Sequence, residues 1–127
     1  MSAPAVLRRY LAALDAGSVP DVLACFTADG EVVSPLYGTR SAAEFYPALF
    51  ADSAPSRTEL DRVYTDPDDP REVALAFHYA WTLADGTPTP FDVVDLVTLT
   101  DDRQRIVRLR ICYDTAPLRS SWQRVSS

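Results

Sequence analysis

Residues 73–83 alternate without a break: Val73, Leu75, Phe77, Tyr79, Trp81 and Leu83 fall on one side, and Ala74, Ala76, His78, Ala80 and Thr82 on the other. Side chains of a β-strand point to opposite faces in turn, so this run is a long strand with one bulky apolar face that something must cover. The same period of two runs through residues 58–65, 91–100 and 106–113. Turn formers separate the runs: Asp66-Pro67-Asp68-Asp69-Pro70, then Asp85-Gly86, then Asp101-Asp102. On the last run Val107, Leu109, Ile111 and Tyr113 take the bulky side, opposite Ile106, Arg108, Arg110 and Cys112. A meander of antiparallel strands is the expectation for this half.

The first half has helical spacing instead. Val6, Leu7, Tyr10, Leu11 and Leu14 recur at intervals of three and four, which predicts an amphipathic helix over 4–16 stopped by Gly17. Ser18, with Pro20 behind it, caps a short helix carrying Val22, Leu23, Cys25 and Phe26 and ended by Ala28-Asp29-Gly30. A short strand over 31–34 is cut off by Pro35, and Tyr37-Gly38 reads as a loop. Ser41-Ala42-Ala43-Glu44 has the form of a capping box, so a third helix starts there, with a kink or an early end near Pro47. Three helices followed by strands give an α+β fold: a cone of helices packed on a strongly curved, mostly antiparallel sheet, with an apolar interior able to hold a small molecule. The expectation is one domain over 1–127, with a tail from about residue 119.

Composition excludes some partners. The 12 basic residues, all of them Arg, are outnumbered by 18 acidic ones, and a net charge of −6 gives no footing for nucleic acid. Cys25 and Cys112 form no C-x-x-C motif, no metal-ligand spacing surrounds His78, and a reduced, cytoplasmic setting is the expectation. The start of the chain lacks the pattern of a secretory leader, and no apolar run reaches the ~20 residues of a membrane span.

Asp95 breaks an otherwise apolar row, Phe91, Val93, Asp95, Val97 and Leu99. A carboxyl in such a row either finds partners or stays protonated, because desolvation disfavours its charged form. Groups perturbed in this way concentrate at functional sites.

The order of elements, from Leu7-Arg8-Arg9-Tyr10-Leu11 through Phe26-Thr27-Ala28-Asp29-Gly30 and Ser34-Pro35 to Arg110-Ile111-Cys112-Tyr113-Asp114, resembles the nuclear transport factor 2-like superfamily. The likeness is to its SnoaL-like polyketide cyclase and ketosteroid isomerase-like branch, a cystatin-like α+β barrel. In the isomerases a helix tyrosine and a protonated aspartic acid donate to an enolate oxygen, and the resemblance places Tyr10 and Asp95 there. The general base of those enzymes is an Asp before the proline that follows the first strand, where this chain has Ser34. The resemblance implies no metal or organic cofactor, a small apolar carbonyl ligand, and a homodimer formed through the convex face of the sheet.

Tyr10 and Asp95 are thus candidates for an oxyanion hole, or for a buried hydrogen bond that serves stability alone. Histidine is a residue type suited to proton transfer, which makes His78 a candidate base, but parity sets it on the small-residue face. Asp114 is either a turn residue or a base at the mouth of the cone. Tyr37, Phe45, Tyr46, Phe50, Phe77, Tyr79, Trp81, Val93, Val97, Leu109 and Ile111 either shape a pocket or fill the core. Arg103, Arg105, Arg108 and Arg110 read as a charged outer face. These residues leave two functions open: an isomerase or cyclase working through an enolate, and a binding or interaction module without catalysis.

Overall fold

A computed structural model describes residues 4–126. The chain runs α1 (Ala5–Ala16), α2 (Val19–Leu23), β1 (Phe26–Ser34), β2 (Gly38–Ser41), α3 (Ala42–Ala51), β3 (Ser53–Asp66), β4 (Asp69–Leu83), β5 (Phe91–Leu99), β6 (Ile106–Cys112) and α4 (Arg119–Ser126). The six strands form one curved sheet in the order β2-β1-β6-β5-β4-β3, antiparallel except for the β1–β6 pair. This is the α+β arrangement that the change of period implies.

Helix α1 buries Val6, Leu7, Tyr10, Leu11, Ala13 and Leu14, and ends where Gly17 takes a left-handed φ of 63° and its N–H reaches the carbonyls of Ala13 and Leu14. That conformation costs most residues a Cβ clash, which glycine lacks. Ser18 and Ser41 cap α2 and α3, their hydroxyls accepting the N–H groups of Asp21 and Glu44. On β4, Val73, Leu75, Phe77, Tyr79, Trp81 and Leu83 are all buried, as the alternation requires. These inward rows and the helices share one continuous core.

Four local expectations need correction. The second helix stops at Leu23, and Phe26 instead begins β1, pairing with Ile106 across the parallel ladder. The register then shifts before Glu31, and the intervening Gly30 lies so close to the Phe26 ring that a Cβ there would meet Phe26 Cδ2 at 2.8 Å. The Asp-Gly pair is therefore a bulge within a strand and not a helix stop. On β6 the inward residue is Ile106, with Val107 39% exposed, because Leu99 pairs with Ile106 and Thr98 with Arg108. One extra residue in the ladder reverses the parity. Helix α3 does not end early at Pro47 but runs on to Ala51, because Pro47 and Ala43 are both exposed and water can take the Ala43 carbonyl that proline leaves without its helical donor. Finally, residues 119–126 are helical where a tail was expected. Leu118 is buried just before this helix, and Trp122 packs edge-on to Tyr37.

Candidate functional site: an apolar cavity with an unpartnered acid

Register sets the site. Asp95 lies opposite Leu75 of β4 and Ile111 of β6, so both of its cross-strand neighbours are aliphatic. Its residue exposure is 1%, and its Oδ1 is buried without a hydrogen-bond partner. Burial alone pushes the carboxyl well above the ordinary carboxylate range. Among the described residues no cation lies against it to hold a negative charge, so the protonated form is favoured. A protonated carboxyl carries one O–H donor, and here that donor has no partner among the described residues.

Asp95 faces a cavity of about 50 Å³ between the sheet and helices α1 and α3. Its buried walls are Tyr10, Leu14, Ser34, Phe45, Leu49, Phe77, Tyr79, Trp81 and Val93, and its partly exposed walls are Leu36, Tyr37, Phe91, Ile111 and Tyr113. The second group forms the mouth. A void of about 150 Å³ is what benzene occupies in a protein core, so a ring-sized ligand enters only if mouth side chains move outward.

Tyr10 reaches this cavity from α1, but its hydroxyl pairs with that of Tyr46 at 2.7 Å and not with Asp95. Either phenol can be the donor, which leaves one O–H of the pair free. Tyr10, Tyr46 and Phe26 form an aromatic cluster with centroids 5.6 to 6.1 Å apart, Tyr10 edge-on to both other rings and Phe26 tilted against Tyr46. Burial raises both phenols well above the ordinary tyrosine value, so both are neutral donors. At the mouth, the Tyr37 hydroxyl donates to Asp52 Oδ2 at 2.5 Å and accepts from Trp122 Nε1 at 3.0 Å. Phe91 stacks on Tyr113 with centroids 3.9 Å apart.

The remaining candidates separate by position. Tyr37, Phe45, Phe77, Tyr79, Trp81, Val93 and Ile111 line the cavity. Val97 and Leu109 are buried elsewhere in the core, Tyr46 stands behind Tyr10, and Phe50 borders a separate groove beside Asp15 and Ser56. Neither His78 nor Asp114 is a wall of the cavity. His78 Nδ1 lies 2.9 Å from Asp92 Oδ1 on the opposite face of the sheet, and exposed Asp114 accepts the Ala116 N–H in an Asx turn. Arg108 pairs with Glu31 on the outer face, whereas Arg105 reaches back to the Ala24 carbonyl at 3.0 Å and ties the β5–β6 turn to α2. Leu14, Leu36, Leu49, Phe91 and Tyr113 also line the cavity and were not singled out as walls from sequence. Phe91 carried a signal in its place in the Asp95 row, Tyr113 in the bulky row of the last strand and Leu14 in the apolar row of the first helix.

A profile of the SnoaL-like domain matches residues 7–109, and the chain belongs to that family. Helix α4 lies outside the matched segment. No curated protein matches the chain in sequence. Solved structures share the fold at low identity. PrhC from Penicillium brasilianum is 15% identical, covering 97% of this chain and 90% of its own, with a TM-score of 0.78. TerC co-crystallised with polyporic acid is 19% identical over 93% and 95%, with a TM-score of 0.76. A protein of ketosteroid isomerase-like fold from Catenulispora acidiphila DSM 44928, in complex with trimethylamine, is 16% identical over 89% and 88%, also with a TM-score of 0.76.

Proposed function

We propose that this chain binds a small apolar carbonyl compound in the cavity and holds its oxygen with hydrogen bonds from the protonated Asp95 and the Tyr10–Tyr46 pair. The observation that carries the reading is the unpartnered, fully buried carboxyl in an apolar wall. Leaving a buried polar group unpaired costs about 1–3 kcal/mol, which a ligand acceptor would recover. An apolar cavity with a few convergent polar groups is the ordinary form of a small-molecule site. Co-crystallisation of the similarly folded TerC with polyporic acid is consistent with an organic ligand in such a fold.

A second reading, an isomerase or cyclase working through an enolate without a cofactor, draws on the same donors, because neutral donors aimed at a carbonyl oxygen also stabilise the charge that develops on an enolate. Among the described residues, however, every titratable wall of the cavity is neutral, and both suggested bases lie outside it. That favours binding over proton abstraction.

The test uses 1-tetralone. On binding, its carbonyl stretch should fall in frequency, and Asp95→Leu and Tyr10→Phe should each reduce that fall. Deuterium exchange at its α-carbon, followed by NMR, separates the readings, since binding without exchange supports the pocket protein and enzyme-dependent exchange supports the enolate enzyme. An unchanged stretch in both variants would remove the assigned donors. We further propose a homodimer through the outer sheet face, where Val94, Leu96 and Val107 are exposed. The free thiols of Cys25 and Cys112 support a cytoplasmic location.

A further inference from the structure

Ser34 closes β1 with its side chain in the cavity wall and 7% of the residue exposed. Its Oγ accepts two backbone N–H groups, from Leu36 at 3.2 Å and Tyr37 at 3.1 Å. A serine hydroxyl has two acceptor sites and one proton, so both acceptor sites are filled by the turn and only the donor is left. Among the described residues, no acceptor lies within hydrogen-bond distance of that proton. Two incoming donors polarise the hydroxyl and strengthen it as a donor in its turn. Asp95 is a second donor without a partner in the same cavity.

We propose that Ser34 is a ligand-binding, specificity-determining residue, which selects compounds carrying two oxygen acceptors, one for Asp95 and one for Ser34. Diketones, quinones and β-keto carbonyl compounds belong to that class, and monoketones do not. This rests on the reading of the cavity as a carbonyl site. A monoketone excludes water from the cavity and leaves the Ser34 hydroxyl unmatched, which is how buried polar groups discriminate against analogues lacking an acceptor. Ser34 acts here as a recognition donor and not as a base, since both acceptor sites of its oxygen are taken by the turn amides.

The experiment is a titration of wild type, Ser34→Ala and Ser34→Thr with three probes: 1-tetralone, 2-acetyl-1-tetralone and 2,3-dimethyl-1,4-naphthoquinone. The last two place their second oxygen at different spacings. In Ser34→Ala at least one two-oxygen probe should lose about tenfold in affinity while 1-tetralone changes less than about twofold, and Ser34→Thr should restore the difference. Equal losses for all three probes would mean that Ser34 only supports the turn, and would overturn the proposal, as would no loss at all. Should Ser34→Ala fail to fold, Ser34→Cys replaces it, with the same loss of discrimination expected from its weaker donor. Binding of 1-tetralone that depends on Asp95 but shows no Ser34 selectivity defeats this inference alone; failure of all three probes to bind wild type defeats the carbonyl site as well.

Discussion

Replacing Asp95 with Asn should change how stability depends on pH, in a direction and size fixed by the burial of one carboxyl. The folded chain keeps the proton on Asp95, because burial without a partner raises its pKa. An Asp in the unfolded chain releases its proton above about pH 3.9. Between those two values the folded state binds one more proton than the unfolded state, so wild-type stability is fully present below the unfolded value and is lost as pH rises toward the folded one. One proton corresponds to about 1.4 kcal/mol per pH unit, or about 2.7 kcal/mol across two units within that window. Asparagine has nearly the same shape and does not titrate, so its own cost is a constant offset. Other carboxylates cancel in the difference between the two proteins. The assay is urea unfolding of both proteins from about pH 4.5 to about pH 7.5, with the difference in unfolding free energy plotted against pH. Asparagine should gain on wild type with the stated slope until the line flattens, and the point of flattening gives the folded-state pKa. A difference that stays level, or that moves in favour of wild type as pH rises, would show that the carboxyl is ionised in the fold.

Three further outcomes follow from the packing. Gly30→Ala should destabilise by about 1–3 kcal/mol in urea unfolding, since its Cβ would press on the Phe26 ring and on the Thr27 carbonyl 3.1 Å away; a neutral result would mean that the bulge has room to relax. Trp122→Ala should cost about 1–2 kcal/mol by removing the bond to the Tyr37 hydroxyl and the ring contact, and should speed hydrogen exchange across α4; unchanged exchange would show that α4 is held by other contacts. Charged residues at Val94 and Leu96 together should turn the proposed dimer into a monomer by sedimentation without loss of ketone binding, and a wild-type protein that already sediments as a monomer contradicts the dimer.

The sheet was legible because an alternating pattern has a direct geometric meaning. Every inward position of β4 between Val73 and Leu83 is buried, and the parity of β5 set Asp95 correctly among the inward residues. Errors arose where one strand of a ladder carries extra residues. The bulge before Glu31 disguised most of β1 as a helix end, and the irregularity at Leu99 exchanged Ile106 for Val107, because parity carries no mark of an insertion. The chemistry of the site was less legible than its place. That Asp95 is indoors follows from its neighbours in sequence, but that it lacks a partner depends on Leu75 and Ile111 standing across from it on two other strands. Likewise the partner of Tyr10 is Tyr46 from α3, a contact 36 residues distant in the chain. Ser34 read as the loss of a base, and its two turn amides came to light only in three dimensions.

The infrared spectrum of Asp95 reads the protonation state of its buried carboxyl. With aspartate carboxyls labelled by ¹³C, wild type minus Asp95→Asn at neutral pH isolates this one group, with and without 1-tetralone. The expected result is the carbonyl band of a protonated acid, free of strong hydrogen bonding in the empty protein and altered when the ketone binds. Carboxylate bands in that difference spectrum, or an acid band that ignores the ketone, would contradict it.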